Sequence, residues 1–287
     1  MEMSVEHAFH LAGTASKDAL RAAVHAAPAH STSRAILRAT ILQCDGDVTR
    51  SIAVLESASE CADTHDMTYL VELLGPAYVS VDRLEDLGRL LGRANAARES
   101  PSHASLRAVL AARAGDIGAA QALCGPLSRA AATEPDDLRR GRIYQRLAMA
   151  AYYCEEHEAA SNFALAAART LADIGAHRGA AAAYSVIYAI HHTVTGDIEA
   201  AYEFATAMVA EARACGNRSM ETAGLVAQYE LAAELADDAA VTQLRSQLRS
   251  RSLPQQYGER FASALAEALW SAWRGDFSTV VAIASIA

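Results

Sequence analysis

The sequence predicts an all-α protein built from repeated helical hairpins, and three observations lead there. One phrase recurs: TGDIEAAYEFA at 195–205 is nearly repeated as AGDIGAAQALC at 114–124, DGDVTRSIAVL at 45–55 and RGDFSTVVAIA at 274–284. Hydrophobic residues make up 52% of the chain but aromatics only 6%, and alanine is the commonest residue. A core of such small side chains suits helices that approach one another closely. Finally, there are only six prolines and no long alternation of Val, Ile and Thr, which leaves little from which to build a sheet. The 287 residues can bury a substantial core. They read as one repeat domain over 1–287, a right-handed superhelical solenoid of about fourteen helices.

The elements follow from the phrase. Its Gly-Asp pairs place turns at Gly46, Gly115, Gly196 and Gly275, and two weaker copies, CEEHEAASNFA and LADDAAVTQLR, place further turns at Glu155 and Ala236. The later steps are 40, 41, 40 and 39 residues, and the 69 residues from 46 to 115 make two steps with one degenerate copy near Ser80. A period in this range marks stacked units. The glycine accepts the left-handed conformation in which a helix ends. The following Asp47, Asp116, Asp197 or Asp276 caps the next helix by accepting from its free N–H groups. Small residues five positions after the glycine (Ser51, Ala120, Ala201, Val280) and seven before it (Ala39, Ala108, Ala189, Ala268) are expected to face each other across each hairpin. Helix ends at Gly175 and Gly216 precede short polar links to the next hairpin. Residues 66–92 depart from the pattern, because Gly75 and Pro76 are expected to interrupt their first helix. The apolar VVAIASIA at the end predicts either a longer protein or a covering partner, including self-association with a second copy.

This arrangement resembles the tetratricopeptide repeat, in which a first helix with a small residue, a Gly-Asp turn and a second helix with another alanine form the unit. The lengthened copies, with LADIGAHRGAAAAY and ARACGNRSMETAGL, look like those of bacterial regulators of the maltose-activator and LuxR type. The resemblance implies a concave groove lined by the first helix of each repeat. Carried onto this sequence, it implies a ligand surface of Arg142, Gln145, Met149, Tyr152 and Tyr153, followed by Val186 and Ile190, then Val226, Glu230 and Glu234, then Leu265, Leu269 and Trp273. Tyrosines offer contact area at small entropic cost and Arg142 can grip a carboxylate, so a peptide, a partner protein or a small acidic effector is the expected occupant. The lysines and asparagines with which chaperone-type repeats hold a peptide carboxylate are missing.

Other classes find little support. A formal charge of −9 disfavours direct nucleic-acid binding. Lys17, the only lysine, lies between Ser16 and Asp18 rather than in a P-loop. Five cysteines without C-x-x-C spacing read as small buried residues of a reducing compartment, and with no signal peptide or membrane span the expected location is cytoplasmic. Neither Glu155-Glu156-His157-Glu158, nor His191-His192, nor His7 with His10 has convincing metal-ligand spacing, so no metal or other cofactor is expected. No hydrolase, zincin or dinucleotide signature is present. The sequence therefore points to a non-catalytic sensor or protein-interaction region of a bacterial transcriptional regulator, or else to a free-standing adaptor that scaffolds a complex.

Overall fold

A computed structural model describes residues 3–94, 100–249 and 264–284, apart from 265 and 269. Among the described residues there are helices and no strand. In order they are α1 (Val5–Thr14), α2 (Lys17–Ala26), α3 (Thr32–Cys44), α4 (Val48–Cys61), α5 (Thr64–Ser80), α6 (Leu84–Ala94), α7 (Pro101–Arg113) and α8 (Ile117–Thr133). There follow α9 (Asp137–Tyr153), α10 (His157–Asp173), α11 (His177–Ile190), α12 (Ile198–Cys215), α13 (Arg218–Glu234), α14 (Asp238–Arg249) and α15 (Phe277–Ala284). From α3 to α14 each odd-numbered helix packs on the even-numbered helix that follows it. No helix of the described residues is long and apolar enough to cross a membrane.

The recurring phrase does what its chemistry predicts. Gly46, Gly115, Gly196 and Gly275 all have positive φ, and so do Glu155 (61°) and Ala236 (54°) of the two weaker copies. Asp47, Asp116, Asp197 and Asp276 each accept a backbone N–H three residues on, at 3.0 to 3.2 Å. The degenerate copy turns too, through Asp82 with φ 59°.

Alanine and glycine set the helix spacing. In α10, Ala160, Ala164, Ala167 and Ala168 are fully buried. Leu171 is wedged between two glycines, since a Cβ at Gly141 would stand 2.4 Å from its Cγ and one at Gly179 would stand 2.8 Å from its Cδ1. Of the expected facing residues, Ser51, Ala120, Ala201, Ala39 and Ala108 are buried, whereas Ala189, Ala268 and Val280 are half-buried. Ala189 departs because α11 runs into a π-turn over His191–Thr195, where the Asp197 N–H reaches back to the His191 carbonyl. The wider turn changes the approach, and Ala201 packs with Tyr188, Ala205, Ala227 and Leu231 instead.

Gly75 and Pro76 do not break α5, which runs unbroken from Thr64 to Ser80. Proline cannot donate to the carbonyl four residues back, and that carbonyl, of Glu72, takes a hydrogen bond from Arg146 Nη2 at 3.2 Å. Gly75 gives Leu106 room, for a Cβ there would lie 2.7 Å from its Cδ1.

The chain also closes on itself. Helix α1 touches α5 and α11, and α3 touches α13. Arg178 of α11 donates to the Leu11, Ala12 and Ala15 carbonyls at the end of α1, where a cation suits the helix-end carbonyls and the helix dipole. Lys17 pairs with Asp45 beside Gly216. The largest hydrophobic cluster runs from Ala8 to Ala183, and a second extends from Val209 to Ala266.

Candidate functional site

The closure decides which of the sequence-derived groove residues remain open. Arg142 is half-buried: its guanidinium lies 4.1 Å from the centre of the Phe9 ring of α1. Its Nη1 is buried without a hydrogen-bond partner, and burial pushes its pKa down to about 10. Ile190 is buried in a cluster with Ala151 and Ala160, so it is core and not groove. Val226 is likewise buried. Tyr153 accepts a hydrogen bond from Arg113 at 3.0 Å, and the same guanidinium stacks on its ring. Tyr152 meets the rings of Tyr153 and His157 edge-on. Gln145, Met149 and Val186 are half-buried. Leu265, Leu269 and the last three residues of the apolar C-terminal stretch lie outside the described residues.

Beside Arg142 lies a polar core that sequence reading missed. Arg146 donates to Glu72 Oε2 at 2.7 Å and to Ser102 Oγ at 2.8 Å, with both charged partners almost wholly buried. Burial alone would raise the Glu72 carboxyl, but the Arg146 charge and hydrogen bond, aided by Arg142 and Ser102, hold it down at about 2. This cluster is sealed and fully engaged in joining α5, α7 and α9.

The open constellation is farther along the chain. Glu230 and Glu234 stand one helical turn apart on α13, opposite His192 in the π-turn after α11. His192 Nε2 is 2.8 Å from Glu234 Oε1 and its Nδ1 is 3.3 Å from the Tyr188 hydroxyl, which donates to Glu230 Oε2 at 3.2 Å. One ligand atom from each of His192, Glu230 and Glu234 falls within 4.8 Å of the others. Burial raises the Glu230 carboxyl, and the neighbouring His192 and Tyr188 offset this only in part. Tyr188 is also raised, first by burial and then by the Glu230 charge. The sequence did hold a signal for this meeting: His192, Glu230 and Glu234 lie four, six and two residues before successive turns, at Gly196 and Ala236.

Along the same succession of turns, large apolar side chains face water. Val194, Leu235 and Trp273 are 44, 49 and 62% exposed, each one or two residues before its turn. Two shallow clefts lie elsewhere. One of about 260 Å³ between α12, α13 and α14 is lined by Arg213, Gln228, Gln243 and Gln247. The other, about 250 Å³, is bordered by Glu56, Tyr78, Asp86 and Arg93. None of the expected groove residues lines either cleft.

No family model matches the chain, and no curated protein is significantly similar to it in sequence.

Proposed function

We propose that the chain is a non-catalytic, tetratricopeptide-like interaction region of a bacterial transcriptional regulator, docking a segment of a partner protein along the turns that follow α11, α13 and the helical residues before Gly275. The observation that carries this reading is the succession of Val194, Leu235 and Trp273, large apolar side chains exposed to water one or two residues before successive turns. Scattered singly such residues mean little, but recurring at successive turns they offer a series of anchors. The adjoining acids, Glu230 and Glu234, and the net charge of −9 suit a partner segment carrying basic groups beside apolar ones. This reverses the charge expected from the sequence, since the Arg142 guanidinium stacks on Phe9 and its Nη1 is sealed from water. The regulator context rests on the Gly-Asp repeats and their lengthened links; a longer reading frame with a helix-turn-helix would support it over the adaptor.

The test is fluorescence anisotropy with a panel of labelled peptides that alternate Leu with Lys or Arg, and with acidic counterparts. Basic peptides should bind, and Trp273→Ala and Leu235→Ser should each weaken them by roughly thirtyfold, the size of a single hot spot. Equal binding by the variants, or preference for the acidic peptides, would overturn the reading.

A further inference from the structure

We propose that His192, Glu230 and Glu234 form a binding site for a divalent first-row transition metal ion, with Zn²⁺ the best match. Three protein ligands, one imidazole and two carboxylates, leave a position for water or for a group from elsewhere, and the nitrogen favours Zn²⁺ or its neighbours over Mg²⁺ and Ca²⁺. Bonds of about 2.1 Å would bring the ligand atoms to roughly 3.4 Å from one another. His192 Nε2 and Glu234 Oε1 are already 2.8 Å apart, and the whole set lies within 4.8 Å. Rotation of the long Glu side chains closes the difference.

Two further features point to a cation. The first is charge balance. Across the described residues, the most deeply buried carboxylate, Glu72, has Arg146, and Glu56, Glu221, Glu267 and Asp45 have Arg83, Arg213, Arg245 and Lys17, whereas Glu211, like Glu234, has a histidine, His177. Glu230 and Glu234 face each other across one helical turn, and among the described residues their charged neighbour is a histidine. The second is the orientation of that histidine. With the metal on Nε2, the Nδ1–H donates to Tyr188, whose hydroxyl donates to Glu230 Oε2. This single direction of hydrogen bonding fixes the ring and the tautomer, as the outer shell of a metal site does.

The site adjoins the docking surface, but the two are tested separately, because the probe here is the metal alone. The metal-free full chain is titrated with Co²⁺ and followed by visible absorption, with Zn²⁺ added afterwards as competitor. One equivalent should bind with nitrogen–oxygen ligand-field bands and without a thiolate charge-transfer band, unchanged when Cys61, which is exposed rather than buried as the sequence suggests, is replaced in Cys61→Ser. His192→Gln and Glu230→Gln should each lose more than about tenfold in affinity, while their metal-free melting shows that they fold. Failure to bind Co²⁺, equal binding by both variants, or a thiolate band that vanishes with Cys61 would each overturn the proposal. A chain that binds basic peptides and no Co²⁺ would refute this site and leave the docking surface standing.

Discussion

Glu72 on α5 and Glu230 on α13 are both carboxylates drawn out of water onto odd-numbered helices, yet their environments are opposite. Burial raises both carboxyls in isolation. At Glu72 the Arg146 guanidinium outweighs it and the carboxyl is held at about 2. At Glu230 no guanidinium among the described residues answers, and the carboxyl stays raised. The first pair is sealed where α5, α7 and α9 meet, under the part of the fold closed by α1. The second sits beyond that closure, at an edge with exposed apolar neighbours. A buried acid with a fitted cation is therefore part of the architecture, whereas a desolvated acid without one is a place to look for a ligand.

The largest test of this contrast is Arg146→Ala. It strands a buried carboxylate and should cost about 3 to 5 kcal/mol in urea denaturation. The double variant Glu72→Leu/Arg146→Met should recover most of that, because well-packed apolar side chains replace an ion pair at little loss. A double variant as unstable as the single one would show that the pair is not the reason for the cost. Next in size, Ala201→Leu overpacks a fully buried contact in the open half and should cost about 1 to 3 kcal/mol. An unchanged melting temperature would mean that this half is loosely packed as well as open. Smaller again, Asp116→Ala and Asp197→Ala remove equivalent caps from the two halves and should each cost about 1 kcal/mol. Unequal losses, seen by thermal melting, would reveal a difference in helix stability that the caps themselves do not explain.

The smallest effect, that at Glu230, is read as a difference of sign with pH. Glu72 has a folded pKa below its ordinary 4.5, so its stabilisation is present above that value and is lost as pH falls towards 2. Glu230 is shifted the other way, so its contribution is present below 4.5 and is lost as pH rises through its raised value. Glu72→Gln should therefore lower the melting temperature at pH 7, and metal-free Glu230→Gln should raise it slightly. The gain at Glu230 should disappear near pH 4. Shifts of the same sign at pH 7 would remove the distinction between the two sites.

What was legible in the sequence was local. A left-handed turn followed by an Asp cap is decided within about six residues, so Gly46, Gly115, Gly196 and Gly275 could be placed from the phrase, and Glu155 and Ala236 from their spacing. What was not legible depended on distant partners. Nothing near Arg142 announces that Phe9 stacks on it, and nothing near Pro76 announces that Arg146 will take up the Glu72 carbonyl. The same limit explains Ile190, whose groove assignment followed from repeat phase while its burial comes from α9 and α10. Of the candidate site, the resemblance placed Glu230 and Glu234 on the groove, and His191-His192 offered no metal-ligand spacing. Their places before successive turns were the one hint, and it did not join them, because the π-turn that brings His192 opposite α13 has no sequence mark of its own.

The Arg178 contacts with α1 bear on how the protein is made. Repeat arrays whose units touch only their neighbours can fold progressively as each hairpin leaves the ribosome. Here the carbonyls of Leu11, Ala12 and Ala15 wait for a guanidinium 163 to 167 residues later in the chain. At ordinary translation speeds of about 5 to 20 residues per second, that gap lasts roughly ten to thirty seconds. During that interval α1 and α3 have no cover from α11 and α13, so the nascent chain exposes an apolar surface that the finished protein does not have. Chaperone demand should therefore persist past the midpoint of synthesis and end when α11 and then α13 have emerged.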